Sequence, residues 1–201
     1  PSASAFKTHH VMKAIPIFPR NIYGETLLGF DQDYLNGIEA TIELFRRGNI
    51  TGRELSNQDF GYQSCVLPHD GVFQNLTNKI IAVANEFLKS IEGLKYSQVK
   101  LEDMWANINY PNDINWPHFH GDELAGVYYI NATKDSGNLF LQSYDYSEKQ
   151  KIKRYLVYKD LKSIEPVNDK LVLFDAECIH GVDKNLSNKN RVSISFNISV
   201  E

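Results

Sequence analysis

The sequence predicts an α+β fold, mainly β, in which two N-terminal helices buttress an antiparallel double sheet. Two patterns predict it. The hydrophobic period is 3.6 residues in the first half and 2 in the second. The last hundred or so residues also hold five or six strand-like runs, separated by Gly, Asn, Asp and Pro clusters. Composition agrees, because 201 residues with 42% hydrophobic and 23% charged side chains suit one globular domain. We expect a single domain over 1–201, with residues 1–96 as helical and strand support and residues 97–201 as a rolled β core.

Residues 11–18 read as a first strand, broken by Pro16 and Pro19. A helix follows, capped by Asp31 or Asp33, with the apolar stripe Leu35, Ile38, Ile42 and Leu44–Phe45. Gly48 ends it, after Arg46 and Arg47 at the negative end of the helix dipole. Residues 73–93 form the clearest helix, with Phe73, Leu76, Ile80, Ile81, Ala84, Phe87, Leu88 and Ile91 on one face and Gly93 as the stop. Strands are then expected within 98–110, 123–132, 138–144, 153–159, 169–176 and 191–200. In the last of these, Arg191, Ser193 and Ser195 share one face. Val192, Ile194 and Phe196 share the other, which is expected to form the sheet–sheet core.

Several function classes are excluded. Lys+Arg 21 against Asp+Glu 25 gives a net charge of −4 and no basic block, so general nucleic-acid binding is not expected. No apolar run reaches the roughly 18 residues of a membrane span, and the first residues carry no secretory h-region. Two cysteines, Cys65 and Cys178, without C-x-x-C spacing read as reduced thiols in a cytoplasmic compartment. No G-x-S-x-G, G-x-G-x-x-G or P-loop string occurs.

Of the six histidines, His9, His10 and His69 read as surface or turn residues. The segment 116–124, WPHFHGDEL, is different. It sets His118, His120 and Asp122 at alternate positions, so an extended backbone turns all three to one side. Imidazole and carboxylate are the donors that suit Fe(II) or Zn. His180 follows the apolar run 171–174 through a short loop, where it can reach back into a barrel mouth. Arg191 opens the closing strand, and a guanidinium pointing into a barrel requires an anion there, with Ser193 placed to help. Asn107 and Asn109 share a strand face with Trp105 that leads toward the same end, and Asn107 is a candidate contact for a bound ligand.

An H-x-H or H-x-D pair, a distal His and then an Arg resembles the iron(II)/2-oxoglutarate-dependent oxygenases. GVYYIN (126–131) and DKLVLFDAECIHGVDKNLSNKNRVSISFNI (169–198) resemble segments of their prolyl-hydroxylase-like members. Residues 104–130 also resemble a small microbial and phage branch with His-x-His before a Gly-Val-Tyr-Tyr strand. The likeness covers about 100–200. It implies a double-stranded β-helix, a jelly roll of the cupin-like kind, using Fe(II), 2-oxoglutarate and O2. It implies that Arg191, with Ser193 and Tyr129, holds the far carboxylate of 2-oxoglutarate. Two metal triads stay open: His120, Asp122 and His180, or His118, His120 and His180. His120 and His180 belong to both. The implied activity is hydroxylation of a small molecule or protein, with 2-oxoglutarate decarboxylated to succinate. The competing reading is a cupin-like metal-binding protein without oxygenase activity, and Arg191 discriminates, since only the cosubstrate needs a cation there.

Overall fold

The computed structural model of the chain describes residues 12–17, 21–48, 58–121, 123–142 and 161–201. The strand expected at 153–159, and with it Tyr144, Tyr146, Tyr155 and Tyr158, lies outside the described residues, as do His9, His10 and Asp122.

Two antiparallel sheets face each other. The larger has seven strands in the order β1 (Ile15–Pro16), β2 (Ile22–Leu27), β9 (Lys170–Asp175), β6 (Leu124–Asn131), β11 (Arg191–Val200), β4 (Val99–Asn109) and β3 (Tyr62–Gln63). The smaller has four, in the order β5 (Asn115–His118), β10 (Ile179–Val182), β7 (Leu139–Gln142) and β8 (Leu161–Ile164). This is the double-stranded β-helix with helices on one outer face.

Helix α1 (Gln32–Arg47) starts where Asp31 accepts a hydrogen bond from the Tyr34 amide, and it ends at Gly48. Leu35, Ile38 and Ile42 are buried, whereas Leu44 is 70% exposed and does not belong to the stripe. A 3-10 turn, Gly71–Phe73, leads into α2 (Gln74–Lys89). That helix stops at Ser90, before the expected Gly93. Ser90 Oγ bonds the Phe87 carbonyl, and Gly93 instead takes a left-handed turn (φ 79°) just beyond.

The first strand is shorter than expected, two residues instead of 11–18, and β2 was not anticipated. The segment 22–27, IYGETL, is interrupted by a strand-weakening glycine, yet Gly24 is needed there. A Cβ on it would lie 2.8 Å from the Lys13 carbonyl oxygen and 3.0 Å from the Phe87 ring, so β2 passes close beneath α2.

The apolar core is divided differently from expectation. Val192, Ile194 and Phe196 pack with Ile38, Ile42, Leu76, Ile80, Ala84 and Phe87, so that face of β11 meets the helices and not the other sheet. Between the sheets lies a smaller cluster of Val127, Tyr129, Leu139, Leu141, Val172, Phe174 and Cys178. Alternation along a strand gives two faces but does not say what covers each. The face of β4 and β11 turned toward the second sheet is polar, and a cavity of about 230 Å³ opens over it.

Candidate metal centre and cosubstrate pocket

Two devices bring the histidines together. His118 on β5 and His180 on β10 are direct cross-strand partners, the separation at which side chains on one sheet face meet. Their ring centroids are 4.3 Å apart. His120 follows His118 by two residues in extended chain and returns to the same side, 5.1 Å from His118 and 5.0 Å from His180. One ring nitrogen from each lies within 4.8 Å of the others.

The tautomers are fixed. His118 Nδ1 lies 2.8 Å from the Trp116 carbonyl and His180 Nδ1 lies 2.9 Å from the Cys178 carbonyl. A carbonyl only accepts, so both Nδ1 atoms carry hydrogen and Nε2 is the nitrogen of each ring able to ligate a metal. Burial pushes the pKa of His118 down, and burial followed by the neighbouring His118 pushes that of His180 well down. The rings are therefore neutral, as ligands must be. Trp105 stacks on His120 at 6.0 Å and sets its plane. Cys178 is fully buried, and burial raises its thiol pKa to about 12, so it is an inert packing residue.

Arg191 lies at the other end of the cavity and is 1% exposed. Its Nη1 donates to the carbonyls of Ser136 (2.7 Å) and Gly137 (3.1 Å). Its Nη2 donates to Asn109 Oδ1 (2.6 Å) and Asn115 Oδ1 (3.1 Å). All four are neutral oxygens. Burial pulls the arginine's pKa down, and among the described residues no carboxylate is within ion-pair distance. Among the described residues Nε has no partner, and neither has the buried hydroxyl of Tyr129, whose pKa burial raises to about 12. Two unused donors beside a buried cation define an anion site. Ser193, 4% exposed, is the register partner of both Asn107 and Tyr129 and lines the same cavity. Asn107 lines it too, donating to Ser195 Oγ at 2.9 Å.

The residues that hold Arg191 were only partly anticipated. Asn109 was noted as lying on the site's strand face, but Asn115 and Asp113 were not singled out. The fully buried Asp113 accepts from Asn109 Nδ2 and from the amides of Asp59 and Phe60, and Asn109 Nδ2 also reaches Asn115. Asn185 is fully buried, and its amide bonds the carbonyls of Asn109 and Lys189 while its Oδ1 accepts from the Ser187 amide. Gly137 (φ 96°) is required where the Arg191 head passes. A Cβ there would lie 2.1 Å from the Asp183 carbonyl oxygen and 2.9 Å from Arg191 Nη1.

A double-stranded β-helix with an imidazole cluster at one end of its cavity and a buried cation at the other defines a class: metal-dependent jelly-roll proteins that bind a small anion. Residues 103–197 match the family described as "Putative 2OG-Fe(II) oxygenase". The fold is similar to a Pseudomonas putida prolyl-4-hydroxylase, at 14% identity over 87% of this chain and 91% of that one, with a TM-score of 0.61. It is also similar to HygX from Streptomyces hygroscopicus with nickel and 2-oxoglutarate bound (10%, covering 88% and 82%, TM-score 0.66). A third similar structure is a Trichoplax adhaerens prolyl hydroxylase in complex with a hypoxia inducible factor peptide fragment (10%, covering 88% and 83%, TM-score 0.64). No curated protein sequence matches the chain. The family match thus covers residues 103–197, just under half of the chain, and the similar solved structures share its fold.

Proposed function

We propose that the protein is a hydroxylase of a small-molecule or protein substrate and that His118, His120 and His180 hold its iron. The observation that carries this reading is the pairing, in one cavity, of three metal-competent imidazoles with a buried guanidinium whose Nε and neighbouring Tyr129 hydroxyl are unused. A dianionic cosubstrate matches both ends. One end chelates the metal, and the far carboxylate accepts from Arg191 Nε and Tyr129 Oη, beside Ser193. Asn107 and Asn109 act on the floor, Asn109 by fixing Arg191. When bound, iron couples decarboxylation of 2-oxoglutarate, giving succinate and CO2, to insertion of one oxygen atom into a substrate C–H bond. The chain's own groups orient the cosubstrate, neutralise its far carboxylate and keep the imidazoles deprotonated.

Asp122 lies outside the described residues, and the alternative set of His120, Asp122 and His180 is the second reading. We read residues 1–201 as one domain, supported by the continuous core joining α1 and α2 to the larger sheet. Among the described residues no helix is long and apolar enough to cross a membrane. The free thiols of Cys65 and Cys178 support a cytoplasmic setting, and the net charge of −4 supports a substrate that is not a polyanion.

Anaerobic titration with Fe(II) and 2-oxoglutarate tests the assignment. The chelate is expected to give a weak visible charge-transfer band, and Arg191→Ala is expected to weaken 2-oxoglutarate binding by about 2–5 kcal/mol, as for loss of a buried charge partner. Unchanged affinity in that variant removes the cosubstrate assignment.

A further inference from the structure

Every polar group that the cosubstrate would meet at the Arg191 end is a donor, but the cavity also holds an acceptor that a dianion cannot satisfy. Gln63, on the edge strand β3, is 7% exposed and lines the cavity. Its Oε1 is buried and has no hydrogen-bond partner among the described residues. Leaving such a carbonyl unpaired is unfavourable, so a fold that keeps one facing a cavity is holding it for a ligand.

Register fixes where it stands. Gln63 pairs with Asn107, Asn107 with Ser193, and Ser193 with Tyr129, which makes one transverse row across β3, β4, β11 and β6. At about 4.8 Å per strand, Gln63 and Tyr129 are rooted roughly 14 Å apart. The terminal carbons of a five-carbon diacid lie only about 5 Å apart. A diacid anchored at Tyr129 and Arg191 therefore ends short of Gln63. Asn107 Nδ2 donates to Ser195 Oγ and makes no bond to Gln63 Oε1. Two residues before Asn107 on the same face stands Trp105, stacked on His120, so the Gln63 side of the row borders the metal site.

We propose that Gln63 is a specificity-determining residue that accepts a hydrogen bond from the primary substrate, which must carry an uncharged N–H or O–H donor close to the carbon that is oxidised. This rests on the oxygenase reading above. It restricts the substrate class to amides, alcohols and similar donors and disfavours hydrocarbon or carboxylate groups at that position.

Two measurements test it, and neither needs turnover. The first is thermal unfolding of Gln63→Leu and Gln63→Met. Removing a carbonyl that the fold leaves unsatisfied is expected to raise Tm by about 2–4 °C in at least one variant. No rise in either would mean that the carbonyl is already satisfied within the fold and would overturn the proposal. The second is saturation-transfer NMR on protein loaded with Zn(II) and 2-oxoglutarate, with N-methylacetamide and N,N-dimethylacetamide as a pair differing by one N–H. Wild type is expected to prefer the donor by about 3–10-fold, and the variants to lose that preference. Equal binding by wild type, or a preference that survives in Gln63→Leu, overturns it. Cosubstrate binding by wild type is recorded in the same samples. Its absence counts against the oxygenase reading, while the Tm shift still reports on Gln63.

Discussion

Tyr129 carries a fully buried hydroxyl that donates to nothing among the described residues, which suits it to a ligand. Tyr129→Phe is expected to leave Tm unchanged or slightly higher while weakening 2-oxoglutarate binding about 10-fold or more, the loss of one hydrogen bond to a charged acceptor. Calorimetry on the Zn(II) form reads both quantities. An equal affinity would place the far carboxylate elsewhere. His118 and His180 make a second residue-scale prediction through pH. Their folded pKa values lie below the ordinary 6.5, chiefly because burial disfavours the imidazolium. The unfolded chain thus binds protons that the native chain refuses. Their contribution to stability is fully present above about pH 6.5 and is lost as pH falls through the lowered folded values. The metal-free protein is expected to lose Tm between pH 7 and pH 5 more steeply than a His118→Gln, His180→Gln double variant. Parallel curves for the two proteins would count against neutral, buried rings.

Elements differ in how openly the sequence declares them. Helix α1 was legible at both ends because capping chemistry is local: Asp31 bonds the Tyr34 amide at 2.8 Å, and Gly48 N bonds the Leu44 carbonyl. Asp31→Ala is therefore expected to cost about 1 kcal/mol by chemical denaturation, with no change in the metal site. The long strands β4, β6, β9 and β11 were legible from their runs of apolar residues. Strands β3, β5, β8 and β10, with two to four residues each, were not, because a period of 2 cannot be recognised over so few positions. Yet β5 and β10 carry His118 and His180, and β3 carries Gln63. The candidate metal residues were picked out through side-chain chemistry, which is readable without a strand assignment. Gln63 was not, because a lone amide two residues after Gly61 has no signature until tertiary pairing sets it opposite Asn107.

At the scale of the whole molecule, the polar face of β4 and β11 explains how the fold and its function share one interior. The helices take the apolar side chains of β11, so that beside the smaller apolar cluster the inter-sheet space holds a cavity lined with Asn, Ser, His and Arg. That interior is incomplete as a core. Among the described residues it holds a cation with no carboxylate within ion-pair distance and imidazoles that are neutral but clustered, an arrangement that a metal and an anionic cosubstrate would complement. Ligands that bind only the native state stabilise it by mass action, about 2.7 kcal/mol at a hundredfold excess over Kd. For a chain of this length each kcal/mol moves Tm by roughly 2–4 °C. Zn(II) with 2-oxoglutarate at that excess is therefore expected to raise Tm by about 5–10 °C. If the diacid bridges the two ends of the cavity as proposed, the joint shift should exceed the sum of the shifts with metal alone and with 2-oxoglutarate alone. Differential scanning fluorimetry of the four combinations reads this coupling directly. Strict additivity would mean that metal and diacid occupy separate sites, and the sheet interior would then not be the single two-ended pocket that its residues describe.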